Sequence, residues 1–86
     1  MYIHLGQDTL VKKSDIIGIF DLDTSTVSKH TRNFLNKKEK EKKVINVSYE
    51  LPKSFILVSN EKKEEKIYIS QISSLTLNKR SGIIIK

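Results

Sequence analysis

The chain has 86 residues, of which 16 are Lys or Arg and 10 are Asp or Glu, giving a net charge of +6 at pH 7, and it has no cysteine. This length allows one small domain over residues 1–86 and excludes a two-lobed enzyme, and because small domains bury a modest core, self-association is expected. The lack of cysteine excludes disulfides, thiolate nucleophiles and cysteine-based zinc sites, while the positive charge favours a polyanionic partner, with nucleic acid first and an anionic membrane surface second.

The first third of the chain has the apolar runs and turn residues typical of β-structure. Tyr2–Leu5 is expected as a strand that ends at a Gly-Gln-Asp turn, after which Leu10–Val11 can pair back to form a hairpin. The bulky apolar run Ile16–Phe20 predicts a strand buried on both faces. Its single glycine, Gly18, predicts a β-bulge or the close approach of another backbone.

A change to helical spacing marks the main helix. Asp23, Thr24 and Ser25 are good N-caps, and the helix is predicted over residues 25–40. Its apolar face is formed by residues at helical spacing, namely Val27, Thr31, Phe34 and Leu35. The helix ends in the lysine-rich run of residues 37–43, whose cations complement the partial negative charge of a helix C-terminus.

The second half of the chain predicts three further strands. Val44–Val47 is expected as a short strand, followed by a turn over Tyr49–Pro52 whose proline lacks an N–H and belongs at a strand start or a sheet edge. Ser54–Val58 is apolar without alternation and is expected as the central strand of the sheet. A polar tip over residues 60–65 leads into Lys66–Ser70, so the last two strands form a β-hairpin.

A short helix and an apolar tail are expected at the end of the sequence. Ser70 can cap a helix in which Ile72 and Leu75 share one face, and Gly82 ends it. The β-branched tail Ile83–Ile85 needs cover, so it either adds a strand to the sheet or meets a neighbouring subunit.

The chain lacks the residue patterns of common catalytic and metal sites. Its three glycines, at positions 6, 18 and 82, are too far apart for a phosphate-binding loop, and no Gly-x-Ser-x-Gly elbow is present. The only histidines, His4 and His30, are not at metal-ligand spacing. The sequence therefore predicts no enzyme activity, no metal, no cofactor and no small-molecule substrate.

The positive charge is concentrated in the middle of the chain. Residues 24–43 hold seven basic and two acidic side chains, a net +5, whereas residues 1–23 carry −2 and residues 44–86 carry +3. The lysines of the helix can be explained equally well in two ways, as a solvated helix face with i,i+4 ion pairs or as a binding surface. Basic side chains at the ends of elements can reach phosphates while the element stays packed. The candidate DNA contacts are Lys53, Lys79, Arg80 and Arg32.

Four segments together resemble one bacterial family. In chain order they are MYIHLG at the start, DIIGIFDLD over Asp15–Asp23, PKSFILV over Pro52–Val58 and SLTLNKR over Ser74–Arg80. In this order and spacing they resemble the extracellular-matrix regulatory family of RemA and RemB, over nearly the whole chain. The RemB branch is the more similar, with its Pro-Lys-Ser before the third apolar run and Lys-Arg near the C-terminus.

The resemblance implies a fold, an assembly and a function. The fold is a small antiparallel sheet with one main helix and a short C-terminal helix, similar in its core to LytTR-type DNA-binding domains, and the assembly is a ring-shaped homo-oligomer. The implied function is regulation of matrix or biofilm genes through binding of double-stranded DNA by basic side chains of the ring. The RemA branch has an adjacent arginine pair where this chain has Leu51 and Pro52, so in that loop only Lys53 can contact phosphate by charge.

Two other functions fit the same sequence. An oligomeric protein–protein scaffold would bind no DNA, and its basic side chains would be spread over several faces. Peripheral membrane binding by the lysine-rich helix would need an exposed apolar face, whereas Phe34 and Leu35 are expected in the core. The sequence has neither a run of 18 apolar residues nor a secretory signal, so a cytoplasmic protein without a membrane partner is expected.

Overall fold

The computed structural model describes residues 2–22, 29–47 and 50–81. Over these ranges the chain forms a two-stranded sheet, a four-stranded sheet and two α-helices. The small α+β class predicted from the sequence is therefore confirmed. Neither of these two helices is long and apolar enough to cross a bilayer.

The two-stranded sheet is the predicted N-terminal hairpin. Strands β1 (Tyr2–Gly6) and β2 (Thr9–Lys12) pair antiparallel. The turn between them uses Gly6 at a φ of 119°, a backbone conformation that residues with a Cβ rarely adopt. The inward-facing side chains of the hairpin are buried, namely Ile3, Leu5 and Val11.

Four strands form the main sheet, in the spatial order β3–β5–β6–β4. Their bounds are β3 Ile16–Asp21, β4 Val44–Asn46, β5 Ser54–Ser59 and β6 Glu65–Ser70. A 3-10 turn, Lys13–Asp15, leads from the hairpin into β3. β5 lies between two neighbours and pairs antiparallel with β6, which confirms the predicted central strand and the second hairpin.

One strand pairing departs from the expected antiparallel sheet. β4 pairs parallel with β6, with Val44 opposite Ile67 and Asn46 opposite Ile69. The reason is connectivity, because β3 and β4 lie at opposite edges of the sheet and run in the same direction. The chain between them must cross one face of the sheet, and a helical crossover returns the chain in the parallel direction. The sheet is therefore mixed.

β3 is not buried on both faces as predicted, because it is an edge strand. Ile17 is 57% exposed, and Ile19 is the buried residue of the strand. The pairing of β3 with β5 shifts register between Ile16 and Gly18, which confirms the predicted bulge. A Cβ on Gly18 would lie 2.7 Å from the ring of Phe20, so the close approach involves a side chain rather than a second backbone.

The first face of the main sheet is covered by the hairpin and by helix α2, Ser74–Ser81. Burial of apolar side chains between these layers is the main stabilising contribution to the fold. The buried residues of this core are Ile3, Leu5, Val11, Ile19, Val47, Ile56, Val58 and Leu77.

The second face of the sheet is crossed by helix α1, Lys29–Lys40. The helix ends at Lys40 as predicted, whereas its predicted start and Val27 lie outside the described residues. Phe34 and Leu35, expected in the core, are half-buried and do not belong to the buried core. On the same side of the sheet, the rings of Phe20 in β3 and Phe55 in β5 stack with their centroids 4.9 Å apart.

Helix α2 presents a different face to the core than the sequence predicts. Its N-cap is Ser73, whose Oγ accepts a hydrogen bond of 3.2 Å from the backbone N–H three residues on. The predicted cap, Ser70, is instead the last residue of β6. Leu77 is fully buried and Leu75 is 64% exposed, so the predicted apolar face is wrong. Because Ile72 precedes the helix, its spacing to Leu75 does not define a helical face.

Some predicted features fall outside the described residues. They are Tyr49 of the predicted turn, Gly82, and the tail Ile83–Ile85. Of the same predicted turn, Pro52 precedes β5 and so lies at a strand start, as expected. Val47, predicted within β4, follows that strand and is buried.

Candidate nucleic-acid interface

Lys53 immediately precedes β5, at the end of the sheet where β3 and β6 finish. Its N–H donates to the carbonyl of Ser70 over 2.9 Å, and its carbonyl accepts from the N–H of Leu22 over 3.0 Å. These bonds fix the Lys53 backbone between the neighbouring segments, whereas the side chain is exposed. The ammonium group can therefore reach an anion without any loss of sheet structure.

Lys79 and Arg80 lie in the last turn of α2, and both are exposed. The helix is held on the sheet by the buried Leu77, so these cations are carried by a packed element. Nη1 of Arg80 donates to the carbonyl of His4 in β1 over 3.1 Å. A guanidinium has five N–H donors in all, so the others can still donate to a phosphate.

The four predicted DNA contacts do not form one cluster. Arg32 is exposed on α1, which lies on the opposite face of the sheet from α2. Lys53 lies near the beginning of α2, because the next residue, Ser54, donates from its Oγ to a carbonyl in the turn before that helix. Lys79 and Arg80 lie near the other end of α2, roughly 9 Å further along its axis. Of the four, Lys79 and Arg80 lie close to each other because they are adjacent in the sequence, and the fold does not add Lys53 or Arg32 to them.

One lysine of the 37–43 run is buried, which the charge pattern did not indicate. Lys38 is 8% exposed, and its Nζ lies 3.0 Å from Oε1 of Glu65 and 3.7 Å from Oε1 of Glu41. The ammonium also lies 5.6 Å from the centroid of the Phe34 ring. The hydrogen bond to Glu65 raises the pKa of Lys38, so this side chain stays charged. Lys38 joins α1 to β6 and is not available to a polyanion.

The sequence does contain a signal for the burial of Lys38. It lies four residues after Phe34, and therefore on the apolar face of the same helix. A lysine on that face can cover apolar surface with its methylene chain while its ammonium reaches a carboxylate. The partner Glu65 is 27 residues away, and only the fold brings it close.

Three of the four candidate cations have side chains without a partner in the part of the chain that the structure describes. Among the residues that the structure describes, Lys53, Lys79 and Arg32 take part in no hydrogen bond or ion pair through their side chains. Exposed cations of this kind bind nucleic acid by displacing counterions from its phosphates. The loop before Lys53 adds no charge, since Leu51 is neutral and 80% exposed. No group of three His, Asp or Glu side chains is placed to hold a metal ion in the described ranges.

Comparison with known proteins gives two concordant matches. The family model RemA-like, described as extracellular matrix regulatory protein A-like, matches residues 2–81. The chain is also similar to extracellular matrix regulatory protein B of Bacillus subtilis (strain 168), with 43% identity over 86 residues. That alignment covers 100% of this chain and 96% of the relative.

Proposed function

Because the chain belongs to the RemA-like family of extracellular matrix regulatory proteins, we propose that it regulates matrix or biofilm genes by binding double-stranded DNA as a homo-oligomer. The protein acts in the cytoplasm and without catalysis. It holds DNA through phosphate contacts, with little reading of base edges. The residues proposed to make these contacts are Lys53, Lys79, Arg80 and Arg32.

The observation that carries this proposal is the presence of exposed cations on packed elements. Lys53 has its backbone fixed at the end of the sheet, and Lys79 and Arg80 lie on a helix anchored by a buried leucine. A cation carried in this way meets a phosphate without ordering a loop, so little conformational entropy is lost on binding.

A ring-shaped assembly explains how a few basic side chains per chain are enough to bind DNA. Each subunit repeats the same basic side chains, so a contact that is weak in one copy becomes one of many around the assembly. DNA bent along such a surface is held by its backbone and its deformability. The proposed assembly is supported by the small size of the chain and by large apolar side chains on its surface, among them Leu51 at 80% and Leu75 at 64% exposure. The proposed LytTR-like core rests on the family resemblance.

The test is a titration of the full-length protein with a fluorescent duplex, followed by anisotropy over a series of salt concentrations. We expect affinity to fall steeply with salt, and each lost phosphate contact to reduce the slope of log K against log salt by about 0.9. The variants are Lys53→Gln, Lys79→Gln and Arg80→Gln. Binding that is absent at about 50 mM salt, or that does not vary with salt, contradicts the proposal.

The matched control is Lys62→Gln. Lys62 is exposed in the tip between β5 and β6, where three glutamates balance three lysines over residues 61–66. This control removes the same charge from the protein as Lys79→Gln does. If both variants lower affinity equally, net charge rather than a defined site accounts for the binding.

A protein–protein scaffold is the alternative function. It is favoured by the neutral Leu51–Pro52 loop and by the spread of the candidate cations over both faces of the sheet. A scaffold would form the same oligomer but give no salt-dependent DNA binding. The salt series therefore separates the two functions.

A further inference from the structure

A cleft of about 390 Å³ opens between the N-terminal hairpin and the end of the main sheet that carries the β5–β6 tip. The buried side chains of Val11 and Val58 line its apolar part, and the more exposed Tyr2 and Leu10 also line it. A shallower depression of about 310 Å³ shares several of its lining residues and continues along the tip. The volume of this cleft is within the range of small-molecule sites, and its lining is more polar than that of most such sites.

Each wall of the cleft carries one tyrosine and one lysine. On the hairpin wall, Tyr2 and Lys12 are cross-strand partners in the β1–β2 ladder. On the sheet wall, Lys66 and Tyr68 are two positions apart in β6 and therefore on one face. Both pairs line the cleft. An aromatic ring beside an ammonium group suits a ligand with a planar ring and a negative charge.

Two carboxylates, those of Asp15 and Glu64, line the same cleft. Within the described ranges, neither forms an ion pair with the lysines of the cleft. Asn60, which also lines it, accepts hydrogen bonds at Oδ1 from the N–H groups of Lys62 and Glu64, so its amide N–H groups can donate elsewhere. The cleft thus offers lysine ammonium groups to an anion and, separately, carboxylates to the N–H donors of a ligand.

We propose that this cleft binds a free guanine nucleotide. The base packs against the tyrosine rings, and the phosphate lies at Lys12 and Lys66. Guanine fits this lining because its hydrogen-bonding edge presents adjacent N–H donors, at N1 and N2, to a carboxylate acceptor. Asp15 or Glu64 supplies that acceptor, and the Asn60 amide can donate to the base carbonyl.

The cleft lies at the other end of β5 from Lys53, one of the candidate DNA contacts. Val58 is near the end of β5, whereas Lys53 precedes its start, and a six-residue strand spans roughly 17 Å. Bound nucleotide would therefore leave Lys53 accessible. This inference does not depend on DNA binding.

Isothermal titration calorimetry of the full-length protein with GMP, AMP and inorganic phosphate tests the proposal. We expect saturable binding of GMP with a dissociation constant below about 1 mM, weaker binding of AMP, and weaker binding still of phosphate. Absence of saturable GMP binding overturns the proposal, as does equal affinity for phosphate alone.

Variants separate the phosphate and base contacts. Lys12→Met or Lys66→Met should weaken GMP binding about tenfold, because each removes a charge-assisted contact. Asp15→Asn and Glu64→Gln should reduce the preference for GMP over AMP. The matched control is Lys40→Met, an exposed lysine of α1 outside the cleft, which should leave GMP affinity unchanged. If the control weakens binding as much as the cleft variants do, the site is not the cleft.

The same chemistry could come from a guanine at the end of a nucleic-acid strand. A short single-stranded oligonucleotide with a 5′-phosphorylated guanine is therefore titrated in parallel. Tighter binding of GMP supports a free nucleotide as the ligand. Oligonucleotide binding that Lys12→Met weakens, together with no binding of GMP, overturns it. Circular dichroism and thermal melting of each variant show that a lost affinity does not come from a lost fold.

Discussion

At the scale of single residues, two buried serines join the layers of the molecule. Ser70 Oγ donates to the carbonyl of Leu5 over 2.6 Å and accepts from the N–H of Ile72 over 3.0 Å. Ser54 Oγ donates to the carbonyl of Ile72 over 2.7 Å. The hairpin and the turn before α2 are thereby fixed to the end of the main sheet. Buried backbone groups without these partners would carry an uncompensated desolvation cost.

Ser70→Ala should lower the free energy of unfolding by about 2 kcal/mol, because it leaves a buried carbonyl and a partly buried N–H without their partner. Urea unfolding at a fixed protein concentration measures the loss. The matched control is Ser14→Ala, at an exposed position of the 3-10 turn, with an expected change within about 0.5 kcal/mol. Equal effects of the two substitutions would contradict the role given to Ser70.

At the scale of elements, the end of helix α1 is defined by a particular backbone conformation. After α1 the chain passes through Lys42 at a φ of 60°, with Lys42 N–H bonded to the Glu39 carbonyl and Lys43 N–H to the Lys38 carbonyl. This is a Schellman arrangement, in which glycine is the preferred residue at the left-handed position. A lysine there carries conformational strain that glycine would remove.

Lys42→Gly should therefore raise the free energy of unfolding by about 0.5 kcal/mol, after the greater freedom of glycine in the unfolded chain is subtracted. The control is Lys37→Gly, inside the same helix and exposed, which should lower it by about 1 kcal/mol. Thermal melting of both variants should show a higher melting temperature for Lys42→Gly and a lower one for Lys37→Gly. A loss of stability from Lys42→Gly would show that the helix ends elsewhere.

The face that α2 presents to the core is tested by its two leucines. Leu77→Ala should cost about 3 kcal/mol, because it leaves a cavity at a fully buried site. Leu75→Ala removes the same atoms from a side chain that is 64% exposed, and should cost within about 0.5 kcal/mol in the monomer. Denaturant unfolding at several protein concentrations distinguishes them, because a loss that comes from subunit contacts varies with concentration. A larger loss of stability from Leu75→Ala than from Leu77→Ala would contradict the burial of Leu77 and favour the helix face predicted from the sequence.

At the scale of the whole molecule, the sheet carries a helix on each face and exposed cations on both. Arg32 lies on the α1 side, and Lys79 and Arg80 lie on the α2 side. In a single copy these cations cannot meet one straight stretch of DNA together. In the proposed homo-oligomer, the arrangement of subunits would decide which of them share a continuous basic surface.

The proposed assembly predicts the mass of the protein in solution. Light scattering coupled to size-exclusion chromatography should give a multiple of the 9.9 kDa chain mass that is three or more, since a ring needs at least three copies. Because apolar contacts are screened little by salt, the mass should stay constant over the salt series used for DNA. A mass of one chain at all concentrations tested would contradict the ring.

The predictable part of the candidate site is the exposure of its cations. Lys53, Lys79 and Arg80 stand at the ends of elements, where the chain reaches the surface whatever its neighbours are. Lys38 could be recognised as inward-facing by its spacing from Phe34, but its acidic partner in β6 could not. Ion pairs between distant residues depend on how elements are placed, and sequence spacing carries no information on that.

By itself the sequence determined the two hairpins, the central strand, the bulge at Gly18 and the end of α1. These depend on alternation, turn residues and charge within a few neighbours, which are local properties of the chain. Only the tertiary structure decided the parallel pairing of β4, the edge position of β3 and the burial of Leu77. Each of these depends on which element lies beside which, and that is set by the burial of apolar surface over the whole chain.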